Sequence, residues 1–410
     1  MPRIVLGVAG GIAAYKACEV VRRLRASGHD VTVVPTENAL AFVGAATWAA
    51  LSGHPVSTGV FTDVHQVPHV RIGQEADLVV VAPATADLLA RAAAGRADDL
   101  LTNVLLTARC PVLFVPAMHT EMWQHPATVA NVATLRERGA IVMDPASGRL
   151  TGADTGPGRL PEPGDIVAVA ASLLADPAAA DAARARDLRG LRVVVSAGGT
   201  REPLDPVRFL GNASSGRQGV ALARAARLRG AQVTVVAAHL SEPLPAGVDV
   251  VQVSSTADLA EAMTRLQPEA DVLVMAVAAA DFTPAETSAA KIKKDGSGTL
   301  DLQLTETIDV LGSLSARRSG PPRQVIVGFA AETAKDDDDL LALGLAKLAR
   351  KGCDLLVLNN VSGGAVFGQP DNTITIIDPD RVVLTASGDK AAVAHRIWDA
   401  VVATRTQEDS

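Results

Sequence analysis

The chain has 410 residues, enough for two or three domains, and its 48% apolar and 20% charged content is that of a globular protein. A formal net charge of −7 excludes a global basic footprint for nucleic acid, so any phosphate has to be held locally. Cys18, Cys110 and Cys353 stand far apart, with no CxxC and no Cys/His cluster; this argues against zinc and disulfides and for a reducing, cytoplasmic setting. Residues 4–6 form an apolar strand, and Gly7, Gly10 and Gly11 permit a tight turn. That reading displaces a signal peptide. Ala17, Val20, Val21 and Leu24 then recur at helical spacing, Ser27 and Gly28 close the helix, and residues 31–34 begin the next strand. Strands at 78–81, 112–115 and 141–143 follow, alternating with helices, which implies a parallel sheet covered on both faces.

Residues 176–190 read as a linker, part of it helical. The pattern then restarts. Residues 191–195 are a strand, Ser196 to Thr200 a glycine turn, and Gly219, Leu222, Ala223 and Ala226 mark one face of a helix. Strands follow at 233–236, 271–280, 324–327 and 355–358, with a helix over 340–350. The apolar run at 272–280 is too short to span a bilayer. The expected fold class is α/β, with two Rossmann-like domains over 1–175 and 191–410. Each is a mainly parallel sheet with helices on both faces. The four acids Asp336 to Asp339 read as a solvated first helical turn, favoured by the helix dipole, rather than a metal site.

Of the 38 basic residues only eight are lysine, and three of these fall at Lys291, Lys293 and Lys294. Either a compact ammonium is needed there or the stretch is an ordinary surface turn. The glycine turns do not fit a dinucleotide fold. GxGxxG is absent from both, and the second strand of neither half ends with a well-placed acid for ribose. Neither half has a GxxxxGK[ST] loop. A glycine turn opening a helix still offers backbone N–H groups to a phosphate, so a mononucleotide remains plausible in each half.

Gly10-Gly11-Ile12-Ala13-Ala14-Tyr15-Lys16, His69, Ala82-Pro83-Ala84-Thr85-Ala86-Asp87 and Pro116-Ala117-Met118-His119 with Met122 resemble the flavoprotein cysteine decarboxylases. The run from Gly198 through Arg201-Glu202-Pro203-Leu204-Asp205-Pro206-Val207-Arg208 resembles the phosphopantothenate–cysteine ligases. So do Asn212-Ala213-Ser214-Ser215-Gly216, Ala279-Ala280-Asp281, Lys291-Ile292-Lys293-Lys294 and Gly328-Phe329-Ala330-Ala331-Glu332-Thr333. Together they resemble the bifunctional family of bacterial coenzyme A biosynthesis, over nearly the whole chain.

The resemblance implies two reactions. The C-terminal half activates 4′-phosphopantothenate with CTP as an acyl-cytidylate, with Mg²⁺, and L-cysteine then attacks. The N-terminal half uses FMN to decarboxylate the product to 4′-phosphopantetheine, through oxidation at the thiol-bearing carbon. His69 matches the catalytic histidine. Gly10, Gly11, Ile12, Thr36, Ala84 and Thr85 match flavin-contacting positions, and His119 and Met122 the substrate loop. His119 replaces the family's usual asparagine. Gly152 stands where well-known members carry a flap cysteine, so Thr151, Asp154, water or another group would have to donate in the last step.

In the ligase half Lys291 matches the catalytic lysine, Asn212 the residue that engages the acyl intermediate, and Ala213 a substrate contact. Met275, Ala276, Val277, Asp281, Ile308, Asp309, Val310, Leu311, Phe329, Lys347 and Lys351 match the nucleotide site. Family members pair ligase halves as dimers and flavin halves as trimers, which implies a large homo-oligomer, a dodecamer. No membrane and no nucleic-acid partner are expected. The alternative is a chain in which only the ligase half works and the flavin half is a weak or regulatory FMN-binding module.

Overall fold

The computed structural model describes residues 1–56, 58–59, 68–150, 155–294, 299–361 and 371–407. The chain forms two compact units. The first comprises Met1–Arg186 with Pro245–Gly247, and the second Asp187–Leu244 with Val248–Ser410. The change of unit falls inside the stretch read as a linker. There the helix Pro177–Ala185 is capped by Asp176, which accepts from the Ala178 amide at 2.9 Å. Among the described residues no single helix is long and apolar enough to cross a membrane.

The first unit is built on five parallel strands, β1 (Arg3–Val8), β2 (Asp30–Pro35), β3 (Leu78–Ala84), β4 (Val112–Pro116) and β5 (Ile141–Val142), in the order β2-β1-β3-β4-β5. Every residue of β3 is buried, as expected for a central strand with both faces covered. The helix Ala14–Ala26 buries Ala17, Val20, Val21 and Leu24. Its chain reversal uses Gly28 at φ +84°, a left-handed conformation that glycine adopts without steric cost. Trp48, on the helix Ala45–Ser52, is wholly buried. An antiparallel hairpin, β6 (Ala146–Arg149) and β7 (Thr155–Arg159), stands apart from the sheet.

The second unit has an eight-stranded sheet. Its first strand is β8 (Arg192–Gly198), and the short pair β9 (Arg201–Pro203) and β10 (Phe209–Gly211) follows it. Next come β11 (Gln232–Ala238), β12 (Asp249–Val253) and β13 (Val272–Met275). A second short pair, β14 (Phe282–Pro284) and β15 (Leu304–Glu306), leads to β16 (Val325–Glu332), β17 (Leu355–Asn360), β18 (Asp371–Ile377) and β19 (Val382–Asp389). The order is β12-β11-β8-β13-β16-β17-β18-β19. It is parallel as far as β17 and antiparallel from there. The antiparallel extension was not anticipated from the sequence. Its turn is set by Asp378, whose carboxylate accepts from the amides of Asp380 and Arg381.

Two helices, Arg217–Leu228 and Lys390–Gln407, pack together, and the Trp398 indole N–H donates to the Leu222 carbonyl at 3.0 Å. Arg229, with a side chain only 1% exposed, ends the first of them. Its guanidinium donates to both Asp187 oxygens, to Asp399 and to the His395 carbonyl.

Candidate active sites

In each sheet the strand order reverses beside the first strand, between β1 and β3 and between β8 and β13. Ligands of open α/β sheets bind in the crevice beyond the strand ends at such a reversal. In the first unit these ends are laced together. The Ala9 amide donates to the Pro83 carbonyl at 3.1 Å, Thr36 to Val8 at 2.9 Å, and Ala117 to Ala84 at 3.1 Å. Thr36 and Thr85 cap the helices that follow β2 and β3, accepting from the amides of Ala39 and Leu88. Gly10, Gly11, Thr36, Ala84 and Thr85 are thus brought to one end of the sheet.

The two glycines differ in what requires them. A Cβ on Gly10 would lie 2.4 Å from Asn38 Cβ and 2.9 Å from its carbonyl carbon, so the fold itself excludes a side chain. A Cβ on Gly11 would meet only Thr85 Cγ2, at an ordinary 3.5 Å. A side chain at the second glycine is therefore not excluded by the fold. Ile12 and Tyr15 beside it are exposed. If the turn holds the flavin that the resemblance implies, Gly10→Val is expected to purify without flavin absorbance; retention of full absorbance would show that the turn can move aside.

His69 sits on the helix Pro68–Glu75, whose backbone is tied to a neighbouring helix by Thr107 Oγ1 donating to the His69 carbonyl at 2.9 Å. Its Nδ1 is buried with no hydrogen-bond partner among the described residues. A buried polar atom without a partner is uncommon and suits a group that meets a ligand.

His119 stands just before the short helix Thr120–Gln124, without a side-chain cap bond to it, and Met122 on that helix is 47% exposed. The loop before it is docked on β7, with the Met118 amide donating to the Gly158 carbonyl at 2.9 Å. A Cβ on Gly158 would lie 2.2 Å from the Met118 carbonyl oxygen, and one on Gly156 would lie 2.5 Å from Thr120 Oγ1. Glycine lets the hairpin approach this closely. Thr151, Gly152 and Asp154 lie outside the described residues.

In the second unit the crevice between β8 and β13 is walled by a buried polar network. Thr200 Oγ1 accepts from the Ala280 amide at 2.9 Å and meets Thr256 Oγ1 at 3.0 Å. The buried Glu202 carboxylate accepts from both the amide and the hydroxyl of Thr256. Thr307 adds its hydroxyl to the Ala280 carbonyl at 2.6 Å and its amide to the Asp281 carbonyl at 2.9 Å. The loop from Ala278 to Asp281 is therefore fixed from three sides. Asn212 Nδ2 donates to the Ala279 carbonyl at 2.9 Å, which places Asn212 and its neighbour Ala213 at the same crevice. Met275, Ala276 and Val277 end β13, and Ser196 Oγ lies 3.4 Å from the Val277 amide.

A second group gathers round β16. Met275 pairs with Gly328, next to Phe329, and the Leu311 side chain fills the space a Gly328 Cβ would take. Asp309 caps the helix Val310–Arg317 by accepting from the Gly312 amide at 3.0 Å, and Ile308 before it is exposed. Lys351 Nζ lies 2.7 Å from Asp309 Oδ2, and Lys347 Nζ 2.7 Å from Glu332 Oε1. Burial pushes the Asp309 carboxyl up, but Lys351 and the Gly312 amide outweigh it and hold its pKa below the usual range. Both lysines project from the helix Asp337–Lys351. Its cap is Asp336, with Asp337, Asp338 and Asp339 in the first turn, as read from the sequence. No group of three or more His, Cys, Asp or Glu side chains placed to hold a metal occurs among the described residues.

Lys291 lies on an exposed segment that runs along the loop Leu204 to Arg208. The residues that hold that segment, Asp205 and Arg208, had been quoted from the sequence without a role. So had Thr200 and Glu202. Glu202 and Asp205 carry the usable signal, as acids each followed directly by proline that turn out to be buried.

The family described as Flavoprotein matches residues 1–175, and the DNA/pantothenate metabolism flavoprotein C-terminal domain matches 188–404. The chain is 58% identical over 412 residues to the coenzyme A biosynthesis bifunctional protein CoaBC of Mycolicibacterium smegmatis, covering 99% of each. This chain belongs to the CoaBC family. The Bacillus subtilis CoaBC protein is 40% identical over 381 residues, covering 92% of this chain and 90% of its own. A solved C-terminal domain of a CoaBC protein aligns at 29% identity and a TM-score of 0.44, covering 55% of this chain and 100% of that one. As a CoaBC protein the chain is a bifunctional enzyme of coenzyme A biosynthesis, a phosphopantothenoylcysteine decarboxylase joined to a phosphopantothenate–cysteine ligase. Similarity across both halves does not favour the reading in which only the ligase half works.

Proposed function

We propose that the second unit acts first, activating 4′-phosphopantothenate with CTP, and that the first unit decarboxylates the resulting cysteinyl product with FMN. The observation that carries this reading is that in each unit the strand order reverses beside the first strand, with the matched glycine turn at one reversal and the fixed Ala278 to Asp281 loop at the other. In the ligase half a substrate carboxylate oxygen bonds to the α-phosphorus of CTP and pyrophosphate leaves. The cysteine amine then bonds to the acyl carbon and CMP leaves.

Lys291 neutralises the charge that builds up as anion meets anion. Asn212 and Ala213 hold the acyl group over the Ala278 to Asp281 loop. Met275, Ala276, Val277, Asp281 and Phe329 enclose the cytidine, with Ile308, Asp309, Val310 and Leu311 beside it. Lys347 and Lys351 exchange Glu332 and Asp309 for nucleotide phosphates. Loss of either lysine is expected to raise the CTP KM by roughly tenfold to a hundredfold, the worth of a charge-assisted hydrogen bond. An unchanged KM in steady-state pyrophosphate release would remove that lysine from the site. Mg²⁺ arrives on the triphosphate, since this ion usually keeps waters and phosphate oxygens rather than an all-protein cage.

In the first unit the residues fit FMN. Gly10 and Gly11 keep the turn clear, and Ile12, Thr36, Ala84 and Thr85 frame the same end of the sheet. When bound, FMN supplies reversible two-electron redox chemistry at the thiol-bearing carbon. The chain's part is to orient and protonate. His69 moves the proton, using a group whose ordinary pKa lies near neutrality. His119 donates to the substrate carboxylate, and Met122 packs on its apolar arm. His69→Asn is expected to keep FMN and ligase activity and lose CO₂ release; normal 4′-phosphopantetheine formation by this variant would rule the role out.

The exposed Val207, Phe209, Phe282 and Leu304, on and around the two short strand pairs of the second unit, support pairing of ligase halves. Trimers of the flavin half would complete a cytoplasmic homo-oligomer, a dodecamer. The decisive experiment supplies 4′-phosphopantothenate, L-cysteine, CTP and Mg²⁺ and follows products by mass spectrometry. 4′-Phosphopantothenoylcysteine accumulating without 4′-phosphopantetheine would refute the second step.

A further inference from the structure

We infer that Asp205 is a positioning residue for Lys291, fixing the backbone from which that lysine reaches the nucleotide. The inference rests on the role proposed for Lys291 above. The Asp205 side chain is completely buried. Its Oδ1 accepts from the amides of Val207 and Arg208, each at 2.8 Å, which closes the turn around Pro206. Its Oδ2 accepts from Arg208 Nε at 2.9 Å and Nη2 at 2.6 Å, and also from the Ile292 amide at 3.1 Å. Arg208 Nη2 donates in turn to the Ile292 carbonyl.

Both polar backbone groups of Ile292 are thereby taken by this one ion pair, 87 and 84 positions away in the chain. The Ile292 amide belongs to the peptide plane that starts at Lys291, so Asp205 sets the direction in which the chain leaves that lysine. The other side is tied as well. The Ser288 amide donates to the Leu204 carbonyl at 3.0 Å, and Thr287 Oγ1 donates to the Pro203 carbonyl at 3.2 Å. Lys291 itself is exposed between these two anchors.

A lysine has four flexible side-chain bonds, so its reach is defined only as well as its backbone is. A buried carboxylate with charged and amide donors is costly to disturb, and it holds geometry more tightly than a surface contact. Burial pushes the Asp205 carboxyl up, but the amides of Val207, Ile292 and Arg208 and the Arg208 guanidinium together hold it far below the usual carboxylate range. Its stabilising contribution is full above the ordinary carboxylate pKa and is lost only as pH falls through the depressed one.

The test is a double-mutant cycle on the full chain, read as pyrophosphate released from CTP and 4′-phosphopantothenate without cysteine. Asp205→Asn is expected to lower kcat by about tenfold to a hundredfold, as for a misplaced catalytic group, and to leave the CTP KM nearly unchanged. Combined with Lys291→Gln it should cost nothing further, because Asp205 acts only through that lysine. If Asp205→Asn abolishes the folding transition of the ligase half, Ile292→Pro takes its place in the cycle. It removes one donor and leaves Asp205 its contacts with Val207 and Arg208. A Lys291→Gln protein with wild-type pyrophosphate release would overturn the role of Lys291 itself. With that variant impaired, additive losses in the cycle, or a wild-type kcat for Asp205→Asn, would overturn the positioning role alone.

Discussion

Lys291→Gln is expected to slow pyrophosphate release from CTP and 4′-phosphopantothenate by on the order of hundredfold or more, the effect of removing a charge contact made in the transition state. Decarboxylation of supplied phosphopantothenoylcysteine should continue at the wild-type rate in the same protein. Attack of one anion on another is opposed by Coulomb repulsion, which grows as water leaves the site. Lys347 and Lys351 are committed to Glu332 and Asp309 before any ligand arrives. Lys291 stands exposed on its own segment, and the role proposed for it is to follow charge from the α-phosphate to the departing pyrophosphate. On the proposed reading Lys293 and Lys294, next along, serve only to attract the nucleotide, and their loss is expected chiefly to raise the CTP requirement. The measurement is made without cysteine, so that only the first step is seen. A wild-type rate would move the catalytic charge to Lys347 or Lys351.

Arg229→Ala is expected to destabilise the ligase half by about 3 kcal/mol, the lower end of the cost of breaking a buried ion pair. The lower end applies because Asp187 and Asp399 keep side-chain exposures of 26% and 35%, so water partly replaces the lost partner. The arginine itself is buried, and it joins the first residue of the second unit to both of its long packed helices. Urea unfolding followed by circular dichroism, with ligase activity as a second probe, should show an earlier ligase transition and an unchanged flavin half. Arg229→Met keeps most of the apolar stem and should separate lost packing from lost charge. An Arg229→Ala midpoint matching the wild type would mean that the two aspartates find other donors.

The buried parallel strands were legible because a strand covered on both faces is an unbroken apolar run. β3 and β13 show this plainly, with every residue buried. The acids at 336–339 were legible for a local reason, since a cap and the first helical turn involve near neighbours. The short pairs β9–β10 and β14–β15 were not, because three-residue strands are too short to leave a periodic signal. The β18–β19 extension was missed although Asp378-Pro379-Asp380 is a turn signal of the ordinary kind. Candidate site residues came from resemblance to a family, not from spacing. Their supports, such as Thr256 under Glu202 or Asp205 under Ile292, are paired across 54 and 87 positions, and no local pattern announces such partners.

The buried indoles have an optical consequence. The chain has three tryptophans, of which Trp48 and Trp123 belong to the first unit and Trp398 to the second. Trp398 is completely buried and tied to the Leu222 carbonyl, so its emission is that of a dry, immobile ring until the two helices around it part. With Trp48 and Trp123 replaced by phenylalanine, the remaining fluorescence comes from the ligase half alone. With Trp398 replaced instead, it comes from the flavin half. Each half of the intact chain thus carries its own built-in reporter, and no cut or fusion is needed to watch one melt while the other stays folded.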